Sequence, residues 1–170
     1  MSRTIRRAGT ADIPVIQELA FAIWHEVYPS IISVEQINFM LGMMYSAESL
    51  HEQMMRQHAQ FLLLSGDEST IGFASWSIIQ PGAARLHKLY VLPACHGTGA
   101  GAALLNEVES EARAQRCASI ELNVNKYNPA RLFYEKKGFS IMREEVIDIG
   151  SGYVMDDYVM HKTINSAVLS

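Results

Sequence analysis

Apolar and polar positions divide the chain into a short strand, a block of helices, three strands, then helix and strand in alternation up to a closing hairpin. Residues 4–7 read as a short strand near a sheet edge. Gly9-Thr10-Ala11-Asp12 reads as a turn in which Thr10 can cap the next helix. Over 13–28, Ile13, Ile16, Leu19, Ala20, Ile23 and Val27 recur at helical spacing. Pro14 suits the first turn, where its missing N–H costs nothing, and Pro29 ends the run. Ser33-Val34-Glu35-Gln36 has the form of a capping box opening a second helix, with Ile37, Met40, Leu41 and Met44 as its apolar face. Ser46 caps a third helical stretch over 50–58.

The second half switches to period-two patterning. Residues 60–64 and 70–79 form a hairpin across Gly66-Asp67-Glu68-Ser69, and Pro81-Gly82 turns the chain into a third strand over 84–92. A helix over 102–115 turns Leu104, Leu105, Val108 and Ala112 inward. A strand follows over 120–124, then a helix opened by Asn128 or Pro129 and stopped at Gly138. Strands at 139–149 and 153–162 close the chain around Gly150-Ser151-Gly152, and the tail from Asn165 is expected to fray. The order is that of an α/β protein. At 170 residues it suits one domain, taken as 1–165 with a tail at 166–170, burying roughly 70% of the unfolded chain's surface.

The chemistry concentrates in two stretches. The first reads LHKLYVLPACHGTGAGAALL over 86–105, an apolar strand, a glycine loop and a helix start. Unpaired N–H groups at a helix start attract anions, and glycines let a phosphate approach the backbone. A Lys-Ser/Thr pair after the last glycine would mark a nucleotide triphosphate loop, but Ala102-Ala103 stand there. A dinucleotide fingerprint needs a third glycine where Leu104 stands, although Glu121 lies at a suitable distance for a ribose contact. His96-x-x-Gly99-x-Gly101 fits the pyrophosphate loop of coenzyme A acetyltransferases, Gln/Arg-x-x-G-x-G/A, with His in first place. The second stretch, IELNVNKYNPARLFYEKKGF over 120–139, is a strand leading into Asn128, Ala130, Phe133, Tyr134, Lys136 and Gly138-Phe139.

Together, in this order and spacing, the two stretches resemble motifs A and B of the GNAT superfamily, the Gcn5-related N-acetyltransferases. The likeness extends over nearly the whole chain, with a general layout similar to bacterial polyamine and small-amine acetyltransferases. It implies a mixed, mostly antiparallel sheet of six to seven strands with helices on both faces. It implies acetyl-CoA as co-substrate, bound where the third strand of the central group splays from the strand at 120–124. The backbone of Leu89, Tyr90 and Val91 would pair with the pantetheine amides, and His96, Gly97, Thr98, Gly99, Ala100, Gly101 and Ala102 would cradle the pyrophosphate. Asn128 would contact the cofactor arm, with Lys136 and Arg131 near the 3′-phosphate. Tyr134 falls on the motif B tyrosine, which would protonate the departing thiolate; a phenol of pKa about 10 keeps its proton at neutral pH.

An alkylammonium acceptor must lose its proton, at a cost of roughly 4.6 kcal/mol near pH 7, so a base helps. Strand alternation puts His87 on the side of Leu89 and Val91, at a position where family members acting on arylalkylamines carry histidine, and His87 is the expected base. Glu121 and His25 are weaker candidates, and a water chain without a dedicated base would also serve. The expected mechanism is direct attack on the thioester in a ternary complex. Cys95 has no partner base at readable spacing to make it a nucleophile.

Composition narrows the partners. Net charge is −4, against a nucleic-acid binder with a basic face. Glu144, Glu145, Asp148, Asp156 and Asp157 crowd the last strands, which suits a cationic acceptor such as a polyamine, or simply a solvated hairpin face. Cys95 and Cys117 show neither metal nor disulfide spacing, no apolar run is long enough for a bilayer, and no signal-like segment follows the basic start. The expectation is a cytoplasmic enzyme with no metal and no membrane partner, acting on a small amine. Acetylation of a protein N-terminus or lysine, or non-enzymatic acyl-CoA binding, are the alternatives. Trp24, Tyr28, Trp76 and Tyr158 suit a pocket or a homodimer contact equally well.

Overall fold

A computed structural model describes residues 2–164; the expected tail at 166–170 lies outside the described residues. The chain forms strands β1 (Thr4–Arg7), β2 (Gln60–Ser65), β3 (Thr70–Gln80), β4 (Ala83–Val91), β5 (Ser119–Asn125), β6 (Ser140–Gly150) and β7 (Tyr153–Thr163). Its helices are α1 (Ile13–Val27), α2 (Val34–Tyr45), α3 (Ala47–Met55), α4 (Ala100–Ala114) and α5 (Ala130–Lys136). The strands make one seven-stranded sheet in the order β1-β2-β3-β4-β5-β7-β6. The β4–β5 pair is parallel, running from Ala83↔Ser119 to Leu86↔Leu122, whereas β1–β2, β2–β3, β5–β7 and β6–β7 are antiparallel. This is the mixed, mostly antiparallel sheet that the family resemblance implies.

The described residues fall into two compact units that share strands and a helix. The first runs through Ser77 and adds Lys88–Val108; the second is Ile78–His87 and the chain from Glu109 onward. In the first unit, β2 is buried along Phe61–Leu64 and carries the core with Ile16, Ile23, Ile37, Leu50, Phe73, Trp76, Leu104 and Leu105. Ser33 and Ser46 cap α2 and α3 as the sequence suggests, their hydroxyls accepting from the Gln36 and Ser49 N–H groups at 3.1 and 3.0 Å. The helical entry at α1 differs from expectation. Thr10 sits inside a 3₁₀ turn, Thr10–Asp12, and Asp12 does the capping, taking the Gly9 N–H at 2.9 Å and the Arg6 guanidinium at 2.7 Å.

Gly72 shows why β3 needs a glycine. A Cβ there would lie 2.8 Å from the Tyr90 carbonyl oxygen and 3.3 Å from Val91 Cα, so β3 and the end of β4 approach more closely than a side chain permits. In the second unit, Ile120, Leu122 and Met160 are buried on one face of the β5–β7 pair and Val159 on the other. Glu109, almost fully buried, is matched there by Lys162 Nζ at 2.9 and 3.0 Å and Arg113 at 3.2 Å.

Candidate active site

The glycine loop belongs to the first unit. β4 ends at Val91, a 3₁₀ turn covers Pro93–Cys95, and α4 begins at Ala100, two residues earlier than its apolar spacing suggests. Gly97 and Gly99 take φ of 77° and 85°, the left-handed region that disfavours side chains and that recurs in anion-binding backbone turns. The Gly99 carbonyl accepts the Ala103 N–H at 3.0 Å, which closes the first helical turn and leaves the earlier amides without intrahelical partners. Thr98 Oγ1 donates to the Cys95 carbonyl at 2.6 Å and holds the loop's shape. His96 turns back on the strand: its Nε2 bonds the Val91 carbonyl at 2.9 Å. A side chain the sequence reading overlooked lies beside the loop. Arg3 donates from Nη2 to the Thr98 carbonyl at 2.6 Å, and its Nη1 is 3.6 Å from where a Cβ on Gly99 would be.

The neighbouring part of β4 holds a second unforeseen residue. Lys88 is buried, its Nζ donating to Gln53 Oε1 at 2.6 Å and lying 5.4 and 5.6 Å from the Tyr45 and Phe61 ring centroids. Burial away from carboxylates pushes its ammonium down to about 8. Gln53 in turn donates to the Met44 carbonyl at 2.9 Å and to Ser49 Oγ at 3.0 Å, so Lys88 fastens the α2–α3 corner to the strand that carries Leu89, Tyr90 and Val91. Tyr90 stands in an aromatic cluster with Trp24 and Phe73, its hydroxyl 3.2 Å from that of Tyr28. Burial raises the Tyr45 phenol well above its usual range.

The second unit holds His87, Asn128, Tyr134 and Lys136. His87 lies exposed on β4, opposite in alternation to buried Leu86 and Lys88. Asn128 is buried and accepts the Ala130 N–H at 2.9 Å, an Asx turn that leads into α5, whose N-cap position is Pro129. Tyr134 is buried against Phe133 and Phe139, with ring centroids 5.2 and 5.7 Å away. Lys136, at the end of α5, is exposed.

The two weaker base candidates are occupied. Glu121 pairs with Arg85 at 2.8 Å, and His25 uses one ring nitrogen on the Phe21 carbonyl and the other on Asn38, both at 2.9 Å. The acids of the closing hairpin are also partnered. Lys126 bridges Glu144 and Asp156, which raises its ammonium. Asn123 donates to Glu145 and Asp157 at 3.0 and 3.2 Å, while its own oxygen accepts from Arg85. Asp148 takes the Gly150 N–H at the turn, 2.8 Å away. Desolvation, and then Glu145 nearby, hold the buried Asp157 carboxyl above its ordinary value.

Among the described residues no group of three or more His, Cys, Asp or Glu is placed to hold a metal. No described helix is long and apolar enough to cross a membrane.

The sheet order, the strand–glycine loop–helix sequence and the motif B helix agree with what comparison with known proteins finds. Residues 30–155 match the family model described as an acetyltransferase (GNAT) domain. The chain is 29% identical over 161 residues to a spermidine N(1)-acetyltransferase of Thermoplasma acidophilum, covering 92% of this chain and 97% of that protein. It is 31% identical over 133 residues to an uncharacterized N-acetyltransferase of Mycobacterium bovis, covering 78% and 85%. The crystal structure of the PaiA N-acetyltransferase of Thermoplasma acidophilum in complex with coenzyme A superposes with a TM-score of 0.81, at 28% identity, over 96% of this chain and 99% of that one. This chain belongs to the GNAT acetyltransferase family. It is an N-acetyltransferase that uses acetyl-CoA.

Proposed function

We propose that the acceptor is the primary amine of a small amine or polyamine, and that transfer is direct, in a ternary complex. The observation that carries this reading is the near full-length similarity to a spermidine N(1)-acetyltransferase. In this account the Gly97–Gly99 turn and the first amides of α4 receive the pyrophosphate, and Asn128 and Lys136 contribute to the same cofactor. The left-handed glycines and the open first turn of α4 suit that task, because without side chains their backbone lets an anion approach closely. Leu89, Tyr90 and Val91 offer backbone groups to the pantetheine amides as an added strand would. The Val91 N–H polarises the thioester carbonyl.

His87 accepts the proton of the incoming ammonium, directly or through a water. The free amine attacks the carbonyl carbon, the C–S bond breaks, and Tyr134 gives its proton to the thiolate. The exposure of His87 is consistent with exchange of that proton with solvent. A second reading, acetylation of a peptide α-amine, is favoured by one observation: Lys126 and Asn123 already answer the hairpin acids that a polycation would use.

Thiol release from acetyl-CoA, measured with polyamines, arylalkylamines, amino acids and short peptides, tests the proposal. Turnover with one small-amine class is expected. His87→Ala should lose about tenfold or more at pH 7 and approach wild type in alkali, where the amine deprotonates unaided. Turnover with peptides alone would select the second reading, and coenzyme A binding without any turnover would refute both.

A further inference from the structure

The position that this family's loop pattern gives to Gln or Arg holds His96 here, and His96 turns its Nε2 back to the Val91 carbonyl at 2.9 Å. The loop is nevertheless supplied with a guanidinium, from the far end of the sequence. Arg3, just before β1, reaches Thr98 across 95 positions of chain, with Nη2 2.6 Å from the Thr98 carbonyl oxygen and Nη1 3.6 Å from the Cβ position of Gly99. We infer that Arg3 is a cofactor-binding residue that grips the pyrophosphate of acetyl-CoA at the Gly97–Gly99 turn, standing in for the motif side chain that His96 replaces.

Three observations support this. The guanidinium has five N–H donors in a planar fork, and one contact, to Thr98, is its only polar partner among the described residues. Among the described residues no carboxylate pairs with it, so it stands without a described counter-ion next to a loop whose glycines take left-handed backbone. Its Nε is buried without a partner, a cost that a well-placed anion on the remaining donors would offset. The Thr98 contact also fixes the fork, so that little side-chain freedom is lost when phosphate arrives.

The inference rests on the loop being the pyrophosphate site. Isothermal titration separates the two claims, using coenzyme A, 3′-dephospho-coenzyme A and acetyl-pantetheine as probes. Wild type should bind dephospho-coenzyme A far more tightly than acetyl-pantetheine; equal affinities would remove the loop assignment and Arg3 with it. Arg3→Gln retains an amide donor for Thr98 without the charge. It should weaken coenzyme A and dephospho-coenzyme A alike by about tenfold or more while leaving acetyl-pantetheine unchanged. Arg3→Lys should recover part of the loss. Coenzyme A affinity within twofold of wild type in Arg3→Gln would overturn the inference. So would a loss seen with coenzyme A but not with dephospho-coenzyme A, which would move the guanidinium to the 3′-phosphate. An equal loss for acetyl-pantetheine would reduce Arg3 to a structural support of the loop.

Discussion

The glycine loop and the closing hairpin treat charge in opposite ways. At the loop, Arg3 has no counter-ion among the described residues and the first amides of α4 lack intrahelical partners, so the site is electrically incomplete. On the hairpin, Glu144, Glu145, Asp156 and Asp157 are answered by Lys126, Asn123 and, more distantly, Arg143. An unsatisfied site attracts its ligand by charge, whereas a satisfied network mainly holds its own strands together. The difference teaches that clustered acids in a sequence are not by themselves a magnet for cations. Cofactor affinity should depend on electrostatics here, and acceptor affinity on shape and hydrogen bonding.

The largest expected effect lies outside both regions, at the chemical step, and so calibrates them. Tyr134→Phe should lower kcat by about 10² or more through loss of the general acid, with little change in the KM for acetyl-CoA. If kcat falls less than threefold, the thiolate takes its proton elsewhere. Next comes the backbone under the loop. Gly72→Ala should destabilise the fold by roughly 1–3 kcal/mol in urea unfolding, because the new methyl presses on Tyr90 and Val91. It should also weaken coenzyme A, since the strand that leads into the loop must shift.

Lys88 gives a pH signature. Its folded pKa, about 8, is depressed below the usual lysine value, so between roughly pH 8 and 10.5 the unfolded chain binds the extra proton. Stability should therefore rise with pH across that window, by up to roughly 2–3 kcal/mol, and the burial penalty should be fully present below it. Lys88→Met removes this dependence. The difference between the two proteins' unfolding free energies at pH 7.5 and 10 isolates it from the tyrosines, and a pH-independent difference would show that Lys88 keeps an ordinary lysine pKa and is more hydrated than its surroundings suggest. The smallest effect is at the hairpin. Lys126→Ala frees Glu144 and Asp156, and the KM for spermidine should fall by about two- to threefold; no change would mean that these acids do not face the acceptor.

Most of the architecture is legible in the sequence because its signals are local. The run 86–105 announces a strand, a glycine turn and a helix, and Ser33 and Ser46 announce helix caps. Boundaries slipped where one local signal masked another. The helix after the loop starts at Ala100 because the Gly99 carbonyl can nucleate it, despite the poor helix propensity of Gly101. α3 starts at Ala47, directly after its Ser46 cap, where the polar face of the first turn hides it. On β4, His87 and Lys88 are adjacent polar residues, and alternation demands that one of them face inward. Reading the histidine as the functional side missed that the lysine is the buried one, a placement that tertiary contacts with Tyr45, Phe61 and Gln53 decide. Arg3 could not be found at all from sequence, because its contact with Thr98 depends on the fold bringing the chain's start to the loop.

The contrast between loop and hairpin is tested most directly by the salt dependence of both substrates in one series. Coenzyme A dissociation constants and spermidine KM values would be measured from 50 to 500 mM KCl. The account predicts that coenzyme A weakens by about tenfold or more, while spermidine changes by less than about threefold. A spermidine KM that climbs more steeply than the coenzyme A dissociation constant would contradict it, and would return the acidic hairpin to the centre of acceptor recognition.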